Sequence, residues 1–407
     1  MKALVLAGGF PQIALLQELK SRGIDTILAD YYPNPVAKPY ADKFYRESTL
    51  DVDAITEIAK KENVDFLITA CTDQALLTVA KVSETLGLPC YIDYQTALNV
   101  TNKQYMKDVF YKNKIPTAAF CVMGTLDEEK IKNMSFPLIV KPVDCNSSKG
   151  VKKVTNREEL VAAFDNAVKL SRTDTAIVEE YIEGEELSAD IYIENGKAHV
   201  LSVSSLDKIK NNDKFVIFRG FYSQEKTESV KALIKEIAEK IAAAFELKNS
   251  PMLIQMIYDG KRANVLEFSA RTGGGVKYYF IRKVSGFDVI SAVVDLTLGK
   301  MPEVIISDPE NKYIANEFIY CKPGVFKSLS GFDELKGEGV ISEYCLFKRE
   351  GAVFTTIENS GDRIAGFTLQ ADTMEELRQK HDTAVKRMQV LDENGVDLMR
   401  RDLLEFI

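Results

Sequence analysis

The stretch Pro251 to Lys277, PMLIQMIYDGKRANVLEFSARTGGGVK, decides how the chain is read. Two apolar runs, Leu253 to Tyr258 and Ala263 to Phe268, flank the turn signal Asp259-Gly260, the pattern of a β-hairpin. Strand alternation puts Val265, Glu267 and Ser269 on one face and Leu266 and Phe268 on the other. A loop of odd length, Gly260 to Arg262, brings Gln255 directly opposite Glu267. A carboxylate between Leu266 and Phe268 is costly to bury alone, so the oxygens of Glu267, Gln255 and Ser269 are either hydrogen-bonded or bound to a cation. All three are hard ligands of the kind Mg²⁺ accepts when phosphate oxygens complete its shell. Arg271 then leads into Thr272-Gly273-Gly274-Gly275, a turn whose bare backbone can approach an anion. The alternative from this stretch alone is a structural hairpin in which Glu267 pairs with Arg271.

The whole chain narrows the choice. Its 407 residues suffice for two or three domains with buried cores. With 52 Lys and Arg against 60 Asp and Glu the net charge is −8, and the basic residues are scattered. That argues against nucleic acid and against a polybasic membrane surface. The cysteines, at 71, 90, 121, 145, 321 and 345, form neither C-x-x-C pairs nor zinc-ligand spacings, so reduced thiols in a cytoplasmic protein are expected. The chain opens on a strand-like MKALVLAGG without signal-peptide regions, and no apolar run is of bilayer length. Two histidines, His199 and His381, remove most zinc hydrolases and Ser-His or Cys-His hydrolases. The chemistry falls to carboxylates, lysines, arginines and a metal.

In chain order, residues 1–95 alternate β and α as a parallel, doubly wound sheet with strands at Ala3 to Leu6, Asp25 to Ala29, Phe66 to Thr69 and Cys90 to Ile92. Gly8-Gly9-Phe10-Pro11-Gln12 is not G-x-G-x-x-G, and Phe10 and Pro11 crowd any pyrophosphate, so this loop is expected to hold part of a small substrate at the sheet's carboxyl edge. Asp30 and Asp73 read as cap or turn residues rather than ligands. One helix from Thr96 to about Lys114 carries Lys103 and Lys107. In Phe136 to Val151, Lys141 interrupts an apolar strand, where its ammonium needs an anion, and the small-residue loop Asp144 to Gly150 suits a flap over phosphates. Capping boxes are expected at Thr125-x-x-Glu128, Thr155-x-x-Glu158 and Thr373-x-x-Glu376. Ala176 to Ile182 runs into the acidic Glu183 to Ser188, either a site facing positive charge or a solvated hairpin end. The loop Lys208 to Tyr222 is expected to face the substrate, with Arg219 either solvated or holding a carboxylate. From Met301 the chain turns β-rich, and His381 falls on the apolar stripe of a late helix as a core histidine.

These segments together resemble the ATP-grasp ligases over essentially the whole chain: an αβ domain, a helix bearing Lys103, the V-K-P strand with its small-residue loop, E-E-Y-I-x-G-x-E-x-S, and the Q…E-x-S-x-R hairpin. The resemblance implies α/β and α+β structure. It comprises an N-terminal pre-ATP-grasp domain (1–95), an ATP-grasp region (96–300) with a mobile lid at about 115–183, and a β-rich C-terminal region (301–407) completing the substrate side. It also implies that Lys103 and Lys141 bind ATP phosphates, that the Glu179 side chain and the Glu180 and Ile182 backbones read adenine, and that Glu186 takes the ribose. Gln255, Glu267 and Ser269 match the metal positions, and Arg271, with Lys141, the catalytic ones. Gln255 stands where many relatives have an acid and Ser269 where asparagine is usual, leaving one or two Mg²⁺ ions open, with Mn²⁺ as a substitute. Gly361 to Gly366 resembles the C-terminal region of biotin-carboxylase-like members, including L-amino-acid ligases, with Arg363 on a substrate carboxylate or in a structural salt bridge. The implied activity is ligation of a small-molecule carboxylate to an amine through an acyl phosphate, with a homodimer as the implied assembly. Alternatives are a purine-pathway or carbamoyl-phosphate-synthase-like enzyme acting on bicarbonate, formate or a ribotide, and a non-catalytic ATP-binding module.

Overall fold

The computed structural model describes residues 1–145, 149–209 and 215–406. Its first layer is a four-stranded parallel sheet in the order Lys43–Arg46, Asp25–Asp30, Lys2–Leu6, Phe66–Ile68. Ala3 to Leu6 are fully buried, as a strand covered on both faces requires. Two details differ from the sequence reading. Lys43–Arg46 supplies an edge strand with too few apolar residues to signal itself, and Cys90 to Ile92 form no strand. One face of the sheet shares its core with the helix Val289–Thr297. Arg22 fastens the two together, donating to Asp295 at 2.6 Å and to the Ser291 hydroxyl at 2.7 Å.

The expected helix after residue 95 is two helices, Tyr94–Thr101 and Lys103–Lys112. Asn102 separates them, because its side chain accepts from the Tyr105 amide at 2.9 Å and so caps a new helix. Beyond it a four-stranded sheet runs Phe120–Met123, Ala176–Glu180, Leu138–Pro142, Lys152–Val154, with the helix Arg157–Leu170 over its own apolar core. Asp127 and Asn156 cap the helices here, not Thr125 and Thr155. At the second, Glu159 reaches back to the amide and hydroxyl of Thr155, which shifts the box by one residue. The third cap is as expected: Thr373 accepts from the Glu376 amide.

The largest sheet has eight antiparallel strands in the order Ala263–Ser269, Ser250–Tyr258, Glu185–Glu194, Lys197–Lys208, Ile217–Ser223, Tyr313–Ile319, Ala365–Ala371, Glu343–Leu346. The β-rich C-terminal segment therefore extends the sheet that holds the central hairpin. The helix Gln224–Ala244 packs its Val230, Ile234, Ile237 and Ile241 stripe against one side.

The central hairpin reaches its expected pairing by a different route. Tyr258 pairs with Ala263, so the loop holds the even set Asp259 to Arg262, closed by the Asp259 amide on Arg262 O at 3.1 Å. A β-bulge between Met256 and Gln255 then shifts the register, and Gln255 faces Glu267 after all. The bulge also breaks the alternation. Leu266 and Glu267 both line the cavity described below, while Val265, expected beside Glu267, is fully buried in the opposite core.

Candidate active site

Between the four-stranded sheet and the eight-stranded sheet lies a cavity of about 540 Å³, within the usual range for a small-molecule site. Lys141, on Leu138–Pro142, places Nζ 2.6 Å from Glu179 Oε2. The other oxygen of Glu179 lies 2.7 Å from Lys107 Nζ, which also donates to Thr117 Oγ1 at 2.6 Å. Lys107 and Glu179 are each 2% exposed. Burial alone would raise the Glu179 pKa, but the two ammonium groups outweigh it and hold the carboxyl at about 2. Burial also pulls both lysines down. For Lys141 the charges of Glu179, Glu267 and Glu186 more than compensate, whereas for Lys107 burial wins. The expected adenine-reading side chain of Glu179 is thus fully engaged by lysines, and Lys107, which the sequence reading left without a role, is one of them.

Lys103, at the start of its helix, donates to Cys145 O at 2.6 Å and stands 3.3 Å from Glu267 Oε2. Its charge is the main cause that holds Glu267 below the usual carboxylate range, against burial. Glu267 does not pair with Arg271. That guanidinium is gripped by Asp73, Nε to Oδ1 at 2.8 Å and Nη2 to Oδ2 at 2.5 Å. Burial would raise the Asp73 pKa, and Arg271 overrides it to leave the carboxyl low. Asp73 begins the helix Asp73–Leu86 at the carboxyl end of the parallel sheet. That location was its only sequence signal, and a helix-start aspartate is usually a cap.

The metal positions divide. Gln255 and Glu267 face the cavity from paired positions on adjacent strands. Ser269 lies outside the cavity lining and bonds the Asp73 carboxylate. Among the described residues no cluster of three His, Cys, Asp or Glu side chains could hold a metal by itself. An amide oxygen and a carboxylate fit one Mg²⁺ whose remaining ligands come from phosphate and water, and Ser269 adds no site for a second.

The acidic run divides: Glu186 is half-buried and pairs with Lys208, whose ammonium also sits 4.7 Å from the Phe215 ring centre, while Glu183 and Glu185 are exposed, Glu185 pairing with Lys226 at the surface. Residues 146–148 of the expected flap and 210–214 of the expected substrate loop lie outside the described residues. Arg219 is neither solvated nor in the cavity. It is 2% exposed, bonded to Glu317 at 2.5 Å and to Glu405 O at 3.0 Å. The Gly8-Gly9-Phe10 turn also lies off the cavity. Gly8 N donates to Asp30 at 2.6 Å, a Cβ on Gly8 would meet Pro35 at 2.5 Å, and Phe10 packs on Tyr278 and Phe347.

Farther along the cavity, Lys277 donates to Asp190 Oδ2 at 2.9 Å and to Ser204 Oγ at 2.8 Å, and Ser202 donates to the same Asp190 oxygen at 2.7 Å. Arg363 lines this end with its guanidinium 3.8 Å from the Phe318 ring centre, donating to the Tyr320 hydroxyl at 3.1 Å and Ile217 O at 3.2 Å.

Residues 134–278, which contain the Lys141 strand, the acidic run and the central hairpin, match the family model of the ATP-grasp domain. The chain carries an ATP-grasp domain. Residues 317–391 match a second model, L-amino acid ligase C-terminal domain 2. It is similar to the carbamoyl phosphate synthase large chain of Clostridium acetobutylicum, 24% identical over 292 residues, which is 69% of this chain and 27% of that one. It thus spans about a quarter of the length of those large chains. Among solved structures, the ATP-grasp fold superposes on an L-amino acid ligase from Bacillus licheniformis with a TM-score of 0.78 at 19% identity, covering 97% of this chain and 99% of the other. The biotin carboxylase domain of a Hydrogenobacter thermophilus 2-oxoglutarate carboxylase gives 0.80 at 17% identity, covering 99% and 92%.

Proposed function

We propose that the chain is an ADP-forming ligase that activates a substrate carboxylate as an acyl phosphate and condenses it with an amine, with an amino acid as at least one partner. The observation that carries this reading is convergence. Lys103, Lys141 and the hairpin residues Gln255, Glu267 and Arg271 come from three separate segments and meet in one cavity, a set suited to positioning and neutralising a phosphoryl group. The match of residues 317–391 to an L-amino acid ligase domain favours an amino acid over the other acceptors.

In this reading Lys103 and Lys141 take the phosphates of ATP, and Glu179 holds Lys141 where its remaining donors face them. With the Glu179 side chain engaged, adenine recognition falls to the backbones of Glu180 and Ile182, which line the same cavity. Glu186 exchanges its bond to Lys208 for the ribose hydroxyls. Gln255 and Glu267 hold one Mg²⁺, which when bound supplies charge neutralisation at the phosphate oxygens. Arg271, locked by Asp73, binds the transferring group. The γ-phosphoryl passes to a carboxylate oxygen and ADP leaves; the amine nitrogen then attacks the acyl carbon, phosphate leaves, and a proton is released. Residues from about 115 to 183 act as a lid that keeps water from the acyl phosphate.

The test is phosphate release from ATP across single and paired amino acids, with Mg²⁺ and then Mn²⁺, and with bicarbonate and formate as controls. Release that needs a particular pair, with a condensed product by mass, is the expected result. Release with bicarbonate or formate alone would move the chain to the carboxylase-like reading, and ATP binding with no turnover under any condition would move it to a binding module.

A further inference from the structure

Lys103, Lys141 and Arg271 have roles in the reading above, but Lys277, which also lines the cavity, and its partner Asp190 belong to none of the sequence motifs. Asp190 is buried, at 2% exposed, and Lys277 is half-buried. A buried ion pair seldom stabilises a fold more than an apolar pair of the same size would, so stability gives little reason for it. What the arrangement does achieve is position. An ammonium has three donors; Asp190 and Ser204 take two of those on Lys277, and Ser202 pins the Asp190 oxygen in turn. Lys277 nevertheless lines the cavity, with its ammonium 5.1 Å from the Phe280 ring centre, so one donor is left without an oxygen partner at the cavity wall.

The surroundings say what belongs there. The turn Gly273 to Gly275 runs beside the pair, and a Cβ on Gly273 would meet Lys277 Cγ at 2.9 Å and Asp190 Oδ1 at 3.0 Å. A Cβ on Gly274 would meet nothing within 4 Å, so the turn leaves free volume. Across it, Gly275 packs toward Phe318, and the other side of that ring region carries Arg363, which has hydroxyl and carbonyl partners and no carboxylate among the described residues. Asn316 also lines this end, with its Oδ1 taken by the Thr368 hydroxyl at 2.7 Å, which leaves its amide donor over. The acids that line the cavity nearby, Asp73 and Glu186, are already paired with Arg271 and Lys208. Donors and positive charge therefore dominate this end.

We propose that Lys277 is a substrate-binding residue that takes a carboxylate which the substrate keeps through the reaction, with Asp190 and Ser204 as its positioning residues. The inference rests on the ligase reading only for the side of the cavity where the substrate lies. It implies that one of the two reactants carries a carboxylate that is not activated, as a free amino acid does when it serves as the amine, and it assigns selection of that group to a residue outside the nucleotide motifs. A guanidinium at the same end suits a carboxylate and a phosphate alike; the amino acid of the ligase reading supplies the carboxylate, and phosphate is the competitor in the test.

The experiment is calorimetric titration of the full chain, saturated with Mg·ADP, with a panel of L-amino acids, the corresponding L-amino acid amides, and inorganic phosphate. For any amino acid that binds the wild type, Lys277→Met is expected to weaken binding at least tenfold and Ser204→Ala to weaken it less, with ADP affinity unchanged as the check on folding. The amides, which lack the charge, are expected to bind the wild type and Lys277→Met alike. Equal amino-acid affinity in wild type and Lys277→Met overturns the proposal, as does a panel in which no amino acid binds the wild type. Phosphate that binds and is lost in Lys277→Met while amino acids are unaffected overturns the carboxylate assignment. Because the readout is binding, these outcomes stand apart from the phosphate-release test of the ligase itself.

Discussion

Arg271 and Asp73, 198 residues apart, are joined by two parallel hydrogen bonds at 2.8 and 2.5 Å, so the first sheet aims the guanidinium that the central hairpin supplies. Such a fork fixes orientation as well as charge. Asp73→Asn keeps the shape and loses the grip. Turnover is expected to fall by about 100-fold, the usual cost of a misplaced group, while the KM for ATP moves little. Steady-state phosphate release checks this; a kcat equal to wild type would mean that Arg271 is held by something else.

Glu267 lines the cavity opposite Gln255 and contributes no apolar packing. Glu267→Gln is therefore expected to abolish turnover and leave thermal unfolding within a few degrees of wild type. The paired measurements are phosphate release and a calorimetric melt. Retained turnover would sink the metal assignment.

Glu179 compensates two buried ammonium groups, Lys107 and Lys141. Removing its charge in Glu179→Gln leaves both uncompensated and is expected to cost about 3–5 kcal/mol. The pH dependence has a definite sign. The folded carboxyl titrates at about 2 against an ordinary 4.5, so its contribution is complete above pH 4.5 and is lost as the pH falls toward 2. Urea unfolding between pH 6 and pH 3 should show the wild-type advantage over the variant shrinking with acid. A gap independent of pH would refute the triad.

Arg219 serves the fold and not the cavity. Its partner Glu317 is fully buried, with burial lifting its pKa to about 7 although Arg219 opposes it. The other groups facing it are His381 Nε2 at 3.9 Å and Asp207, which is 3.5 Å from Arg219. Burial depresses His381 to about 4, so it is neutral through this range. A raised folded carboxyl loses stability as pH climbs from 4.5 through 7, and without the arginine that loss grows. Arg219→Met should be more destabilising at pH 8 than at pH 5, with nucleotide affinity intact, as denaturation at the two pH values and ADP titration would report. The opposite pH trend would remove Glu317 from the explanation.

The order of the ATP-grasp segments, the Lys141 strand and the buried His381 could be read from residue patterns, because each rests on local periodicity or on a polar group in an apolar run, whereas the Gln255–Glu267 pairing was reached from an odd loop and is made by an even loop and a bulge. What escaped was long-range pairing. Lys107 looked like one more helical lysine until Glu179 reached it from another sheet. Asp73 looked like a cap, and Arg219 like a loop residue, because nothing local shows that a partner 198 residues away, or Glu317, will bury the charge. The capping errors at Thr125 and Thr155 have a different origin: the helices start one or two residues later, where Asp127 and Asn156, equally good caps, accept from the amides of Glu129 and Glu159.

The bulge at Leu266 gives the hairpin something like a reading frame. Upstream of it, from Ala263, the strand keeps one in-and-out phase; downstream, Glu267, Ser269 and Arg271 keep another, offset by the one unpaired residue. Deleting Leu266 would let the strand zip without interruption and still leave Val265 in the core and Glu267 on the cavity face opposite Gln255, because the two alternate once the extra residue is gone. The extra residue thus adds one apolar side chain to the cavity wall without costing Glu267 its place, and the length that the catalytic face needs is the one that keeps Gln255 and Glu267 in register.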